Sequence, residues 1–231
     1  MEEQVLVLPR LAIDSVFGVS DGLAVDVSCV IKPTELASLI SSLQNEDADL
    51  CKLLNAEFKP RSEVEDDPSY VQLIPYILVT DGTHRSNAKI LTYKRSKKSG
   101  ESRLIGKKSV GIGGHINPQD NAGNAYLSAM RREFEEELGV SVESLKLYDG
   151  TTLSHIYGVI RDTKTPVNAV HVGIVHVVQL AEVPCFEFAE CMAEPKFELL
   201  HQQVARDDYE DWSKLALSLL DTMPRHVPQT L

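Results

Sequence analysis

The clearest chemical pattern in this sequence is a cluster of three glutamates, Glu133, Glu136 and Glu137, within a short charged run. On an α-helix, positions i, i+3 and i+4 project from one face, so the three carboxylates would point the same way. Like charges at this spacing destabilise a helix, and near its C-terminus the helix dipole disfavours them further. Carboxylate oxygens are the ligands that Mg²⁺ and Mn²⁺ prefer. The context predicts a divalent-metal site, against the simpler interpretation of a solvated acidic helix face.

Two elements must position these glutamates. A helical pattern runs from about Asn121 to Leu138, and Gly139 ends it as a C′ glycine would. The predicted buried stripe of this helix is Leu127, Met130, Phe134 and Leu138. The glycine-rich stretch 111–115 precedes the helix and predicts a tight turn. A rigid turn and an acidic helix face are therefore expected to lie close together.

The same region resembles the Nudix box, the signature of Nudix hydrolases. Read as G-x5-(D)-x11-R-E-F-x-E-E-x-G-V, the matching residues are Gly114, Asp120, Arg132, Glu133, Phe134, Glu136, Glu137, Gly139 and Val140. The usual box has Glu where Asp120 stands, and seven residues rather than eleven before the Arg-Glu pair. The four extra residues predict a longer loop or an earlier helix start, and Asp120 is reduced to a candidate N-cap. The stretch 111–120 resembles a phosphoesterase branch of the family, with a GGHIN-type variant box.

The resemblance implies a fold and an activity. The expected fold is an α/β/α sandwich with a mixed β-sheet. The expected reaction is hydrolysis of a diphosphate bond, in a nucleoside diphosphate linked to another group, by metal-activated water.

The resemblance also assigns residues to these roles. The catalytic set is Glu133, Glu136, Glu137 and Arg132. Its three glutamates would bind Mg²⁺, or Mn²⁺, and Arg132 would orient them by ion pairing. The backbone of Gly113 and Gly114 can approach metal or phosphate closely because glycine adds no side chain. His115 is a further candidate for contact with phosphate, although a structural hydrogen bond explains a loop histidine equally well.

The motif leaves the general base open. It is a glutamate of the box or an acid of a later loop, for which the candidates are Glu187, Glu190 and Glu194. Two other functions compete. The first is a non-catalytic Nudix-fold module that senses a nucleotide or binds a protein. The clustered glutamates weigh against it, because a pure binder has no need of their charge. A Nudix-fold isomerase of isoprenoid diphosphates would want a cysteine near the start of the core, and none of the four lies between residues 70 and 180.

The acidic composition restricts the partners. A formal net charge of −11 repels nucleic-acid backbones and anionic lipids. We therefore expect a small nucleotide-like diphosphate as substrate, no nucleic-acid polymer and no membrane association, with a homodimer favoured only by family analogy. Four scattered cysteines without a C-x-x-C pair, and an acidic N-terminus without signal-sequence features, favour a cytoplasmic location.

Composition also divides the chain. Residues 1–66 are expected to form an N-terminal α+β extension packed on the core, and residues 67–231 a Nudix-like hydrolase domain. The predicted elements of the extension are strands over 4–8 and 23–31, helices from residue 33 and over 48–54, and a charged loop over 59–68.

The core alternates strand and helix patterns. The predicted strands cover 70–80, 88–93, 142–148, 152–160 and 168–180, and the predicted final helices cover 196–204 and 209–220. Pro75 suggests an edge or a bulge in the first strand, and Trp212 is expected to pack in the core. Seven basic residues against one acid in 94–108 predict a solvated hairpin loop or, as the alternative, a basic flap that helps to hold a phosphorylated substrate.

Overall fold

The computed structural model describes residues 2–16, 29–31, 37–81, 87–98, 102–121, 123–148, 153 and 155–222. The strands within these ranges are β1 (Gln4–Pro9), β2 (Cys29–Ile31), β3 (Glu57–Pro60), β4 (Tyr70–Thr80), β5 (Lys89–Arg95), β6 (Lys108–Ser109), β7 (Gly111–Ile112), β8 (Ile156–Arg161), β9 (His171–Gln179) and β10 (Met192–Leu199). The helices are α1 (Arg10–Val16), α2 (Ala37–Gln44), α3 (Leu50–Leu53), α4 (Arg61–Val64), α5 (Ala125–Leu138), α6 (Pro166–Ala169), α7 (Leu200–Gln203) and α8 (Asp211–Thr222). The predicted strand over 23–31 and the predicted helix start at 33 fall mostly outside the described residues.

β4 is the central strand of one mixed sheet. The main path of the sheet is β10-β5-β4-β9-β8-β2, and β1, β3, β6 and β7 join it from the side. β4 and β9 run parallel, from Gln72 opposite His171 to Thr80 opposite Gln179. The remaining pairings are antiparallel. A parallel pair needs a long crossover, and this one contains the glycine turn and α5.

Helices cover both faces of the sheet. Alternate side chains of β4 point to opposite faces, so Ile77 lies in the core cluster with α5 and Leu78 in the cluster with α8. The predicted stripe of α5 is buried as expected, over Leu127, Met130, Phe134 and Leu138. The structure thus confirms the α/β/α sandwich with a mixed sheet. No helix in the described ranges is long and apolar enough to cross a membrane.

Both ends of α5 are fixed by caps. The side chain of Asn124 accepts hydrogen bonds from the backbone N–H groups of Tyr126 and Leu127 (3.0 and 3.3 Å). Gly139 closes the helix at φ 67°, in the left-handed region that favours glycine. The extra residues of the box therefore lengthen the loop before the helix, where Pro118–Asp120 form a 3₁₀ turn.

The described strands of the N-terminal extension share the sheet with the core. β1 pairs with both β3 and β4, and the N–H of Leu6 donates to the carbonyl of Ile116, just after the glycine turn (2.8 Å). Arg10 donates to the carbonyl of Ala169, just before β9 (2.6 Å). The extension therefore contacts the core close to the predicted site, while a domain boundary at residue 66 stays a prediction.

The charged segment 59–68 is not a plain loop. It contains the end of β3 and all of α4. Arg61 donates to Glu65 in the next turn and to Glu3 before β1 (2.8 and 3.0 Å). The loop prediction is wrong because these charges pair with one another instead of being solvated.

Two predictions outside the extension are also wrong. The helix expected over 196–204 is mostly strand, because β10 pairs along β5 and only Leu200–Gln203 is helical. The strand expected over 142–148 begins as a 3₁₀ turn, and its one isolated bridge joins Leu147 to Leu180. Over 196–199 tertiary pairing overrides the local pattern. Over 142–145 local hydrogen bonds form the 3₁₀ turn instead, from the N–H of Ser144 to Ser141 and from the N–H of Leu145 to Val142. Pro75 lies inside the central strand, in the gap between the β1 ladder and the β7 ladder.

Replacement of Gly139 by alanine should destabilise the chain more than the same change at Gly106. Both glycines have positive φ, 67° and 81°, so both variants carry a left-handed penalty of about 1–2 kcal/mol. A Cβ on Gly139 would also lie 2.6 Å from the Cβ of Glu187, whereas one on Gly106 meets nothing within 4 Å. We expect a further loss of about 1–3 kcal/mol in Gly139→Ala, measured by urea unfolding. Equal losses would contradict close packing at this helix end.

His176 is a buried histidine that ties β9 to α5. Its Nε2 accepts a hydrogen bond from the hydroxyl of Tyr126 (2.6 Å), and its Nδ1 donates to the carbonyl of His155 (3.0 Å). Burial lowers the pKa of His176 to about 4, from a usual value of about 6.5. Its contribution to stability is complete above pH 6.5 and is lost as the pH falls toward 4, because the unfolded chain takes up the proton first.

Between pH 7 and pH 5, the wild-type chain should lose about 2 kcal/mol more unfolding free energy than His176→Gln, whose side chain does not titrate. Urea unfolding of both proteins at the two pH values measures the difference. Parallel pH profiles would show that His176 is not held neutral by burial.

Candidate active site

Arg132 is the centre of the polar network at the site. Its Nε and Nη2 donate to the two carboxylate oxygens of Asp120 (2.8 and 3.0 Å), and Nη2 also donates to the carbonyl of His115 (2.9 Å). Its Nη1 donates to Glu133 (2.7 Å) and Glu136 (3.1 Å). These contacts use the planar fork of the guanidinium. One side chain thus connects the glycine turn, the 3₁₀ turn and two of the three glutamates.

Asp120 holds Arg132 and does not cap α5. Asp120 is 4% exposed, and its carboxylate also accepts from the backbone N–H of Asn117 (2.8 Å), within a capping box on the 3₁₀ turn. The prediction that Asp120 is an N-cap of the long helix is therefore wrong, and Asn124 has that place. The 3₁₀ turn brings this short side chain within reach of the guanidinium.

Two of the three glutamates are buried together at the end of α5. The side chain of Glu133 is 14% exposed, and Glu137 is 9% exposed. Burial raises the pKa of Glu137 to about 8, although Arg95 opposes the shift, and burial also raises the pKa of Glu133 against the opposing charge of Arg132. Oε2 of Glu137 has no hydrogen-bond partner among the described residues. A buried carboxylate with an unsatisfied oxygen is costly unless a cation compensates, so the pair fits a divalent-metal site.

Glu136 is placed differently from the other two glutamates. Its side chain is 58% exposed and binds Arg132. Only Oε2 of Glu136 accepts from Arg132, and the predicted metal set of Glu133, Glu136 and Glu137 stays a prediction.

The glycine turn lies against these carboxylates. A Cβ on Gly114 would overlap the carboxylate of Glu133, and a Cβ on Gly113 would overlap the carbonyl oxygen of Pro75. Only glycine fits at both positions, because the backbone comes this close to its neighbours. The turn leaves bare backbone beside Glu133, which is what the predicted contact with metal or phosphate needs.

His115, the next residue, is buried. Its Nε2 lies 3.3 Å from the Nε2 of His171, and its Nδ1 lies 3.5 Å from a carboxylate oxygen of Glu3. Burial, together with the positive charge of Arg61, lowers the pKa of His115 to about 4, so the ring is neutral at pH 7. These contacts account for a structural role, and the predicted contact of His115 with phosphate stays a prediction.

A cavity of about 270 Å³ opens beside the glycine turn. Gly113, Gly114 and His115 line it, together with the basic residues Arg95, Arg103 and Lys107 and the aromatic residues Tyr76 and Trp212. Positive charge next to aromatic surface suits a ligand that combines phosphate with a planar ring.

The basic segment 94–108 contributes to this cavity. Its ends belong to β5 and β6, and Lys108 is 7% exposed and pairs with Glu198 (2.6 Å). Arg103 and Lys107 are exposed and line the cavity. The solvated-hairpin prediction is therefore wrong for Arg95 and Lys108, whose side chains are largely shielded from solvent. Its alternative, a basic surface that holds a phosphorylated substrate, stays a prediction.

Sequence reasoning missed Arg95 and misjudged Trp212. The side chain of Arg95 is 17% exposed, its Nε lies 3.6 Å from Glu210, and its charge acts on Glu137. Trp212 packs edge-on against Tyr76, with 5.7 Å between ring centroids, but it also lines the cavity. Its buried Nε1 has no hydrogen-bond partner in the described part of the chain. The available signals are weak: a basic residue at a strand end, and the single tryptophan of the sequence.

The later acids have contacts of their own. Glu190 binds Lys98, and Glu194 binds Lys94 (2.7 Å). Glu194 lies in β10, with φ 52° at an irregularity of the ladder, and not in an irregular segment. The backbone N–H of Glu187 donates to the end of α5, while Glu187 itself is exposed. None of these contacts selects one of the three acids as a base.

Comparison with known proteins places this arrangement in a family. The family model described as the NUDIX domain matches residues 74–211, which is more than half of the chain. The chain therefore belongs to the Nudix family.

Its relatives extend beyond that domain. The chain is similar to protein YmaB of Bacillus subtilis (strain 168), with 28% identity over 231 residues that cover 96% of this chain and 98% of YmaB. It is similar in structure to Tm1382, a candidate Nudix hydrolase, with a TM-score of 0.64 and 22% identity over 94% of this chain and 98% of Tm1382. A Nudix hydrolase from M. smegmatis, RenU, matches with a TM-score of 0.46 and 16% identity over 71% of this chain and 97% of RenU. The first two matches span nearly the whole chain, so they include the N-terminal extension.

Arg132→Lys should destabilise the fold far more than Arg131→Lys. A lysine cannot make two parallel hydrogen bonds to Asp120, and it leaves this buried carboxylate poorly paired, so we expect a loss of about 2–4 kcal/mol. Arg131 makes exposed ion pairs with Glu46 and Glu143, for which the expected loss is below about 1 kcal/mol. Urea unfolding of both variants gives the comparison, and two small, equal losses would contradict the central place of Arg132.

Proposed function

We propose that this chain is a divalent-metal-dependent hydrolase that cleaves the diphosphate bond of a small nucleotide-like substrate, a nucleoside diphosphate linked to another group. One observation carries the proposal. Glu133 and Glu137 are two buried carboxylates on one helix face, beside the bare backbone of Gly114, and one carboxylate oxygen of Glu137 lacks a partner among the described residues.

The donor set suits Mg²⁺ or Mn²⁺. Glu133 and Glu137 offer hard oxygen ligands, and Glu136 is the third ligand in the proposal. Burial keeps the carboxylate pKa values high in the chain alone, so a cation that favours the ionised forms would gain affinity as the pH rises. A divalent cation at this place offsets negative charge on the bridging phosphates and makes water more acidic.

The residues of the chain then have separate tasks. Arg132 is a positioning residue, because its donors are taken by Asp120, the turn and the glutamates. The turn at Gly113 and Gly114 lets a phosphate oxygen approach the backbone. The base that accepts a proton from the attacking water is a box glutamate or an acid of a later loop, and the proposal leaves this choice open.

The cavity supports the substrate class. Arg103 and Lys107 place positive charge at its wall, where they attract the phosphates. Tyr76 and Trp212 offer aromatic surface for a planar base, and the buried Nε1 of Trp212 is a donor without a partner in the described part of the chain. The homodimer and the cytoplasmic location stay predictions.

A panel of diphosphates tests the proposal. Nucleoside triphosphates, ADP-ribose, NADH, dinucleoside polyphosphates and sugar nucleotides are incubated with the chain and Mg²⁺ or Mn²⁺. Glu136→Gln and Glu137→Gln are compared with Glu135→Gln, which makes the same change of charge on an exposed position of the same helix. Because metal binding supplies several kcal/mol of transition-state stabilisation, we expect the two site variants to lose at least about 100-fold in kcat/KM and the control to change little.

Two outcomes contradict the proposal. Turnover that is unchanged in Glu136→Gln and Glu137→Gln would exclude the metal assignment. Tight binding of a panel member without turnover, in folded protein with saturating metal, would favour the non-catalytic nucleotide-sensing module.

A further inference from the structure

A second group of metal-type ligands lies next to the glycine turn, and the Nudix glutamates are not part of it. It consists of Glu65, His115 and His171, whose ligand atoms all lie within 4.8 Å of one another. Glu65 follows α4 in the N-terminal extension, His115 follows the glycine turn, and His171 opens β9. All three are shielded from solvent: His171 is 8% exposed, and the side chains of His115 and Glu65 are 15% and 24% exposed.

A hydrogen bond of His171 and a carboxylate contact of His115 orient the Nε2 atoms of the two rings toward one another. Nδ1 of His171 lies 2.6 Å from the carbonyl of Val167, so Nδ1 carries the proton and the Nε2 lone pair is directed at His115. Nδ1 of His115 lies 3.5 Å from a carboxylate oxygen of Glu3. Because this carboxylate is negative, it favours a proton on Nδ1 over a lone pair. With both protons on Nδ1, the two Nε2 lone pairs face each other at 3.3 Å. Two facing lone pairs repel, and a cation bound by both nitrogens, beside the line that joins them, removes the repulsion.

The distance between the two nitrogens matches coordination. Two imidazole nitrogens at tetrahedral positions about 2.1 Å from a Zn²⁺ ion are about 3.4 Å apart, and the observed separation is 3.3 Å. The neighbours of the rings are those expected around a metal site, where each ligating histidine donates its second N–H to a carbonyl or a carboxylate. The carbonyl of Val167 has this place for His171, and the carboxylate of Glu3 lies nearest to the second nitrogen of His115, at 3.5 Å. Arg61 fixes Glu65 with a hydrogen bond of 2.8 Å.

The net charge of the group favours a cation, and the net charge of the group with a divalent ion bound would favour an anion. Glu3 and Glu65 share Arg61, so with neutral histidines the group carries one net negative charge. A divalent ion reverses this to one net positive charge. His115 and His171 line the cavity, whereas Glu65 is not part of its wall. The open side of the group therefore faces the space that the proposed substrate would occupy.

We propose that Glu65, His115 and His171 bind one transition-metal ion, best suited to Zn²⁺, with a coordination position open to the cavity for an anionic oxygen ligand. Two imidazoles and one carboxylate favour a transition metal over Mg²⁺, which prefers oxygen ligands alone. The site is separate from the proposed Mg²⁺ site on α5. It assigns a task to the N-terminal extension, which supplies Glu65 as a ligand and Glu3 as the partner of His115.

The test is metal binding by the full chain, freed of any affinity tag and of metal, in excess Mg²⁺. Calorimetric titration with Zn²⁺ should show one equivalent bound, and Co²⁺ in its place should give the strong visible absorption of a four-coordinate nitrogen and oxygen site. His171→Asn and Glu65→Gln should weaken Zn²⁺ binding at least about 100-fold, and Glu3→Gln about 10- to 100-fold. His201→Ala, at an exposed histidine on α7, and Glu136→Gln should retain it.

Binding of less than one equivalent by the wild-type chain would overturn the proposal, because a plain hydrogen bond between the histidines would then explain their contact. Binding that survives both His171→Asn and Glu65→Gln, or that is lost in Glu136→Gln, would place the ion elsewhere. If His171→Asn fails to fold by circular dichroism, the wild-type titration and Glu65→Gln decide. Inorganic phosphate added to the Co²⁺ form should shift the absorption, and an unchanged spectrum would contradict the open position.

Discussion

The paired hydrogen bonds between Arg132 and Asp120 are the interaction on which the rest of the site depends. Both side chains lie largely out of solvent, where an unpaired charge is costly. Since the same guanidinium also binds the carbonyl of His115 and the carboxylate of Glu133, the turn, the lengthened loop and α5 cannot shift independently of one another. The four extra residues of the box are tolerated because the 3₁₀ turn returns Asp120 to this partner. An aspartate thus serves where the family motif has a glutamate.

The charges around α5 are only partly balanced within the chain. Arg132 serves Asp120, Glu133 and Glu136 at once, and Arg95 lies between Glu137 and Glu210. Burial raises the pKa of Glu137 to about 8 against the opposing charge of Arg95, so this carboxylate tends to hold a proton. The proposed binding of a cation should therefore depend on pH, because the cation competes with this proton.

The local part of the site could be predicted from the sequence. Helical spacing predicts that the three glutamates of the box share one face of α5. The same spacing predicts that Leu127 and Phe134 belong to its buried stripe. These two predictions depend only on the 3.6-residue period of the helix and on the glycine that ends it. The sandwich with a mixed sheet followed from the family motif and is what the structure has.

The long-range part could not be predicted. Asp120 lies 12 residues from Arg132, and its role depends on the path of a loop that no local pattern encodes. His115 and His171 are 56 residues apart and meet because β9 runs parallel to β4. The apolar spacing of segment 196–204 predicts a helix, because local spacing carries no information about pairing with a distant strand. In the structure residues 196–199 of this segment pair with β5 as part of β10. The helical spacing of Trp212 predicts core packing, and its ring does pack in the cluster that contains Tyr76. The same spacing carries no information about the cavity that Trp212 also lines.

We propose that the carboxylates of Glu133 and Glu137 form a cation site whose geometry Arg132 and Asp120 fix. Anomalous diffraction from crystals grown with Mn²⁺ is the sharpest test of this site. We expect a manganese peak about 2.1 Å from oxygens of both glutamates, with the hydrogen bonds from Arg132 to Asp120 retained. A protein crystal saturated with Mn²⁺ that shows no peak at these carboxylates, or a peak only at the two histidines, would contradict it.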